Sequence, residues 1–265
     1  MKRILAATLM CLLLSGCVRQ APPDTTAAVT TLPPTTQAAE TTAVTETTAP
    51  ARKYLVVIDA GHQAKGDPEK EPIGPGSTVM KAKVSSGTTG CVTGIPEHEL
   101  NLAVALMLRD ILLERGYEVV MIRTVADVSI SNSQRAQTAN DLGADAFIRI
   151  HANSADDSSV CGMLTICQTP DNPYNADLYE QSFLLSRLVL DEMVLSTGAE
   201  RRNVWETDTM SGINWCRVPV TIVEMGFMSN EEEDILLSSD EYRLLIAQGI
   251  ANGIDSYFGV IAESG

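Results

Sequence analysis

Apolar residues occur along this chain in two spacings, and their alternation predicts a sheet covered by helices. Short apolar runs rich in β-branched residues predict buried strands at 54–61, 117–124, 146–153, 162–169 and 219–227. Apolar residues three and four positions apart predict helices at 97–115, 129–143, 174–196 and 239–257. Because strands and helices take turns, the pattern favours an α/β domain with a largely parallel sheet that is buried on both faces.

The N-terminus does not share this pattern. An apolar run follows two basic residues and ends at Leu14-Ser15-Gly16-Cys17, which resembles a bacterial lipobox. The run is too short to cross a bilayer, which takes about 20 residues. We therefore expect residues 1–17 to be a lipoprotein signal peptide, and Cys17 to carry a lipid that anchors the protein to the outer face of the bacterial cell membrane. The alternative is an ordinary signal peptide that contains a cysteine.

Residues 18–53 are rich in Thr, Ala and Pro and have no apolar period. Such a segment buries too little surface to offset its loss of conformational entropy, so we predict a disordered tether. Residues 54–265 are then expected to form a single domain that carries the chemistry.

Charge and motifs narrow the function. The formal net charge is −15, which argues against nucleic-acid binding, because that requires clustered Lys and Arg. The sequence contains no GxSxG, GxxxxGK[ST] or GxGxxG motif, so serine-hydrolase and nucleotide-binding functions lack support. We expect a monomer.

Three ionisable residues stand at predicted strand ends. His62 follows the first strand, His151 lies near the end of the third, and Glu224 lies near the end of the last. In α/β proteins, bound molecules and ions lie at the carboxyl ends of the strands. Two histidines and one carboxylate would supply the three protein ligands of a catalytic zinc site. The residues alone leave the third ligand open among four carboxylates: Asp59, Glu97, Glu99 and Glu224.

Five short motifs follow one another along the domain. They are Asp59–His62 (DAGH), Glu97–Leu102 (EHELNL), Arg135 with Ala139-Asn140, Ile150–Asn153 (IHAN) and Val223–Asn230 (VEMGFMSN). In this order they resemble the motifs of the zinc-dependent N-acetylmuramoyl-L-alanine amidases, the amidase type 3 family. The resemblance covers about residues 54–258. It implies a mixed, mostly parallel sheet of about six strands with helices on both faces.

The resemblance also implies a site. It assigns His62, Glu97 and His151 as Zn²⁺ ligands and Glu224 as the catalytic residue. A carboxylate in an apolar strand suits a general base that takes a proton from water, although a structural salt bridge is the alternative. The implied reaction is hydrolysis of the amide bond between N-acetylmuramic acid and L-alanine in peptidoglycan. Two alternatives remain, an inactive wall-binding lipoprotein and a zinc peptidase acting on wall peptides.

Helix geometry separates Glu97 from its neighbours. Successive helical residues point about 100° apart, so Glu99 faces nearly opposite to Glu97, and His98 is expected at the surface or around the ligands. The alternative for Glu97 is a charge that stabilises the helix N-terminus.

Arg135 and Asn153 are candidates either for substrate contact or for bracing the site. Segment 63–96 is mostly Gly, Ser, Thr, Pro and Lys; we expect a long loop that shapes the cleft or restrains access to it. The acidic run 231–234 is expected to be a solvated helix start. Four cysteines follow the leader and permit either two disulfides or free thiols: Cys91, Cys161, Cys167 and Cys216.

Overall fold

The computed structural model describes residues 53–264. The predicted signal peptide, Cys17 and almost all of the predicted tether lie outside the described residues. The strands are β1 Leu55–Ala60, β2 Asp67–Pro72, β3 Met80–Val84, β4 Glu118–Met121, β5 Ala146–Asn153, β6 Met163–Cys167, β7 Arg201–Glu206 and β8 Val220–Phe227. The helices are α1 Glu97–Glu114, α2 Asn132–Asp141, α3 Tyr179–Thr197, α4 Ser211–Asn214, α5 Glu231–Leu237 and α6 Asp240–Ser264.

Six strands form the main sheet in the order β4-β1-β5-β8-β6-β7. The first four strands in this order, β4, β1, β5 and β8, are parallel to one another. Strand β6 runs antiparallel to β8, and β7 is parallel to β6. The predicted fold class, a mixed and mostly parallel sheet of six strands, is confirmed. The parallel arrangement brings the ends of β1, β5 and β8 to one edge of the sheet.

Alternate residues of each strand face opposite layers, as the period of a strand requires. Val56 and Ile58 of β1 belong to a core that includes residues of α1, α3 and α6. Val57 of β1 and Phe147 of β5 belong to a second core with residues of α2. The sheet is therefore covered on both faces, and it is the face towards α2 that carries Asp59 and Arg149 at its edge.

The prediction of a long loop at 63–96 was wrong in one respect. Strands β2 and β3 pair antiparallel and form a hairpin inside this segment. Side chains tie the hairpin to the rest of the domain: the Glu71 carboxylate accepts a hydrogen bond from the Ser133 backbone N–H (3.1 Å), and Trp215 Nε1 donates to the Pro72 carbonyl (2.9 Å). Because these contacts come from distant residues, the composition of the segment did not reveal them.

The expectation for the acidic run 231–234 needs correction. The run 231–234 does start a helix, α5, but it is not solvated throughout: Asp234 is buried and accepts hydrogen bonds from the backbone of Val92 and Thr93 (both 2.8 Å). Strand β7 was not predicted, because its sequence RRNVWE is polar.

The four cysteines are free thiols: Cys91, Cys161, Cys167 and Cys216. Within residues 53–264, no helix is both long and apolar enough to cross a membrane.

Candidate metal centre and cleft

The three residues predicted as metal ligands meet at the carboxyl edge of the sheet. His62 follows β1, Glu97 opens α1, and His151 lies in β5. Glu97 Oε1 is 3.1 Å from His62 Nε2 and 3.2 Å from His151 Nδ1. The two ring nitrogens are themselves 3.1 Å apart. Three potential ligand atoms from distant parts of the chain thus form one small triangle.

The chemistry of this triangle fits a divalent metal ion. Zinc favours His nitrogen and carboxylate oxygen, and its catalytic sites use three protein ligands with a fourth position open. Ligand atoms at zinc's usual bond length of about 2.0–2.1 Å are about 3.3 Å apart in a tetrahedron, close to the 3.1–3.2 Å found here. Burial lowers the pKa of His151 to about 4, so its ring is neutral at pH 7 and offers a lone pair.

Backbone and hydrogen bonds orient His62. Its φ is 59°, the left-handed region, and it is the sole non-glycine residue among those described with a positive φ. Such a conformation costs a non-glycine residue about 1–3 kcal/mol and is typically retained at functional sites. Its Nδ1 lies 2.9 Å from the Ser85 carbonyl oxygen. Since a carbonyl only accepts, Nδ1 carries the proton and Nε2 faces the triangle with its lone pair.

Glu97 is held from several sides. Its Oε2 accepts from the Thr88 backbone N–H (2.9 Å), and its Oε1 accepts from Asn101 Nδ2 (3.2 Å). Burial alone would raise the pKa of Glu97, but hydrogen bonds with His151 and His62 hold it well below its usual range. The side chain of Glu99 is 62% exposed, so the helix geometry separates the two glutamates as predicted.

Asn101 is a site residue that the sequence analysis did not single out. It lies four residues after Glu97, on the same face of α1, and Nδ2 also donates to the Gly61 carbonyl (3.2 Å). This spacing was the available signal. His98, by contrast, is not one of the residues whose ligand atoms converge, and its carbonyl accepts from Arg123 Nη2 (2.7 Å).

Gly61 is required by the packing of His151. A Cβ atom at position 61 would lie 2.2–2.6 Å from three atoms of the His151 ring. No real carbon atom tolerates such a contact, so a side chain here would displace the histidine. The glycine of the DAGH motif is therefore part of the site although it contributes no ligand.

A buried ion cluster lies beside the triangle. Arg135 Nη1 donates to Asp59 Oδ1 (2.6 Å), and Arg149 Nε donates to Asp59 Oδ2 (2.9 Å). Burial would raise the pKa of Asp59, but the two guanidinium groups hold it well below its usual range. Arg135 is fully buried and its Nη2 also donates to the His62 carbonyl (3.0 Å). Of the two roles considered for Arg135, this geometry favours bracing.

Glu224 lies beside His151, its register partner on the neighbouring strand. Its Oε2 is buried and has no hydrogen-bond partner in the part of the chain that the structure describes. Burial, and secondarily the charge of Glu97, raise the pKa of Glu224 well above its ordinary value. Asn153, at the end of β5, accepts the Ser154 N–H on Oδ1 (2.8 Å) and the Met228 N–H on its carbonyl (2.8 Å).

A cleft of about 290 Å³ joins these groups. His62, His151 and Glu224 line it together. The hairpin residues Lys81 and Val84 form part of its wall. Segment 63–96 therefore shapes the cleft, which is one of the two roles that the sequence predicted for it.

The family model for N-acetylmuramoyl-L-alanine amidases of type 3 matches residues 56–256. The chain belongs to this amidase family. The resemblance inferred from the five motifs is thereby confirmed at the level of the family.

Relatives of this amidase are found in several bacteria. It is 31% identical over 213 residues to the uncharacterised protein YqiI of Bacillus subtilis, covering 80% of this chain and 89% of that one. It is 27% identical over 233 residues to an N-acetylmuramoyl-L-alanine amidase of Mycobacterium tuberculosis, covering 82% and 92%. The crystal structure of the amidase Ami1 from Mycobacterium smegmatis superposes with a TM-score of 0.70 at 27% identity, covering 78% of this chain and 97% of that one.

Proposed function

We propose that this protein is a zinc-dependent amidase that hydrolyses the bond between N-acetylmuramic acid and L-alanine in peptidoglycan. The observation that carries the proposal is the triangle of His62, Glu97 and His151 atoms beside the buried carboxyl group of Glu224. Membership of the amidase family indicates which bond the protein hydrolyses. A protein that only binds the wall would not need, at one cleft, a strained histidine and a buried carboxyl oxygen that has no partner among the described residues.

His62 Nε2, Glu97 Oε1 and His151 Nδ1 would hold the Zn²⁺ ion. When bound there, zinc would act as a Lewis acid towards a water molecule and the amide carbonyl. The surrounding residues fix the ligands: the Ser85 carbonyl sets the tautomer of His62, and Asn101 and the Thr88 N–H fix the Glu97 carboxylate.

Glu224 would carry the proton. As a base it must be ionised, and positive charge nearby favours that form; Arg149 already lowers the pKa of Glu224 against the effect of burial. Oε2 of Glu224 is the oxygen that accepts no hydrogen bond from any of residues 53–264. It would take a proton from the attacking water, hold it on the carboxyl group, and deliver it to the nitrogen of L-alanine as that amine leaves.

The protein would act outside the cytoplasm. A lipid on Cys17 would fix the chain to the outer face of the membrane, and the tether 18–53 would let the domain reach the wall above it. An extended tether of this length reaches on the order of 100 Å at about 3.3 Å per residue. Labelling with radioactive palmitate in the bacterium should mark the protein and should not mark a Cys17→Ala variant.

Digestion of purified peptidoglycan tests the reaction. The protein with zinc should release lactyl carboxyl groups on muramic acid and new L-alanine amino termini, both identified by mass spectrometry. Glu224→Gln should lower kcat by about 10²–10⁴-fold, the usual contribution of a general acid–base group. Glu232→Gln, the same change at an exposed position of α5, should act like the wild type. New ends within the peptide would instead identify a peptidase, and zinc binding without any cleavage would identify a wall-binding protein.

A further inference from the structure

The guanidinium group of Arg149 is only partly used by the protein. Nε donates to Asp59 (2.9 Å) and Nη2 donates to Asn132 Oδ1 (2.9 Å). Nη1 has no hydrogen-bond partner within residues 53–264. Arg149 is only 3% exposed, and what it presents to solvent belongs to the wall of the cleft. Nη1 is not among the fully buried atoms without a partner, so it reaches the solvent of the cleft and is available to a bound molecule.

The wall opposite Nη1 is built to leave room for it. A Cβ atom at Gly212 would lie 1.7 Å from Arg149 Nη1 and 2.3 Å from Cζ. Only glycine at this position permits the guanidinium group to lie where it does. Gly212 also lines the cleft, so the space kept for Nη1 belongs to the cleft that contains Glu224 and His151.

The part of the cleft wall that Arg149 and Lys81 form is positively charged in a protein whose formal net charge is −15. Asp59 is shared by two guanidinium groups, so its single negative charge leaves this cluster with a net positive charge. Lys81 lines the same cleft from the hairpin; its Nζ donates to the Thr209 carbonyl (2.7 Å) and keeps two further donors. Among the described residues that line the cleft, Glu224 is the sole carboxyl group.

We propose that Arg149 and Lys81 form a subsite that binds a carboxylate of the wall peptide. The inference rests on the proposed function and names the substrate more closely: a stem that bears a free carboxylate close to the bond that is cut, since Arg149, Lys81 and Glu224 line one cleft. Charge-assisted hydrogen bonds from Arg to a carboxylate are about twice as strong as neutral ones. A carboxamide at the same place has no charge, and its N–H groups would face the donors of Arg149 and Lys81.

A pair of muramoyl peptides tests the subsite. The two differ only in a carboxylate or a carboxamide on the residue after L-alanine. The wild-type protein should cleave the carboxylate form with a kcat/KM at least about tenfold higher, the effect of one hydrogen bond to a charged group. Equal values would overturn the subsite and leave the amidase proposal standing. Calorimetric titration of the same pair on Glu224→Gln measures binding without turnover. If neither peptide is cleaved, the amidase proposal fails, and the two affinities still decide the subsite.

Variants assign the preference to its residues. Lys81→Gln, at an exposed position, and Arg149→Lys, which keeps a positive charge beside Asp59, should each reduce the preference for the carboxylate form. Gly212→Ala should reduce it as well, by displacing Nη1. Arg217→Lys is the matched control at an exposed position away from the cleft, and its preference should equal that of the wild type. Unchanged preference in both Lys81→Gln and Gly212→Ala would overturn the assignment, even if Arg149→Lys does not fold.

Discussion

Two buried polar clusters lie side by side at the carboxyl edge of the sheet, and they differ in one respect. In the first, the Asp59 carboxylate contacts the guanidinium groups of Arg135 and Arg149, so opposite charges meet directly. In the second, two histidine nitrogens and a glutamate oxygen converge on one another. Opposite charges hold the first cluster together, whereas the second brings together atoms of the kinds that bind metal ions.

The same strands supply both clusters. β1 carries Asp59 and leads to His62, while β5 carries Arg149 and His151. The first cluster braces the second, because Arg135 also donates to the carbonyl of His62. The comparison teaches that contacts between opposite charges hold a buried polar cluster together, whereas converging lone pairs serve a cation. Substitutions in the first should therefore change stability, and substitutions in the second should change metal affinity.

Asp59→Asn breaks the first cluster and should have the largest effect on stability. It leaves two buried arginines without their shared anion, and breaking a buried ion pair costs about 3–5 kcal/mol. Urea unfolding of the purified protein measures this loss. A change below about 1 kcal/mol would contradict the structural role of the cluster.

Asn101→Leu addresses the second cluster and should act on metal affinity. Glu97 would lose the hydrogen bond from Nδ2, and loss of such an outer contact lowers metal affinity by about 10–100-fold. Competition with a chromophoric chelator measures the affinity for zinc. The exposed Asn203→Leu is the control and should bind zinc like the wild type. An unchanged affinity in Asn101→Leu would show that Glu97 needs no support from this side chain.

Asp177→Asn should have the smallest effect on stability, and it extends the comparison to an exposed ion pair. Asp177 pairs with Arg217 at 2.9 Å, the same chemistry as the pair of Asp59 with Arg135, but both side chains are more than half exposed. Exposed ion pairs contribute about 0–1 kcal/mol, so urea unfolding should move little. A loss as large as that of Asp59→Asn would mean that burial does not distinguish the two pairs.

Much of the fold could be predicted because buried parallel strands read as continuous apolar runs. The runs at 54–61, 146–153 and 219–227 coincide within one residue with β1, β5 and β8. The ligands could be placed because they stand at the ends of these strands. Helix geometry then distinguished Glu97 from Glu99, although the choice of Glu97 as a ligand came from the family resemblance.

What could not be predicted depends on contacts between distant residues. Strand β2 reads DPEKEP, and nothing in that polar run indicates a strand; contacts with Ser133 and Trp215 hold the hairpin. Arg149 lies inside an apolar strand, and its partner Asp59 is 90 residues away. Only the register of β1 against β5 places these two side chains opposite each other. The space at Gly212 that admits Arg149 is equally invisible along the chain.

The central claim is that His62, Glu97 and His151 hold one zinc ion, and native mass spectrometry tests it most directly. After equilibration with zinc and removal of the excess, the wild type and Glu99→Gln should each carry one ion per chain. Glu97→Gln, two residues away on the same helix, should carry none under the same conditions. A wild-type protein without zinc, or a Glu97→Gln variant that retains its full zinc content, would contradict the account.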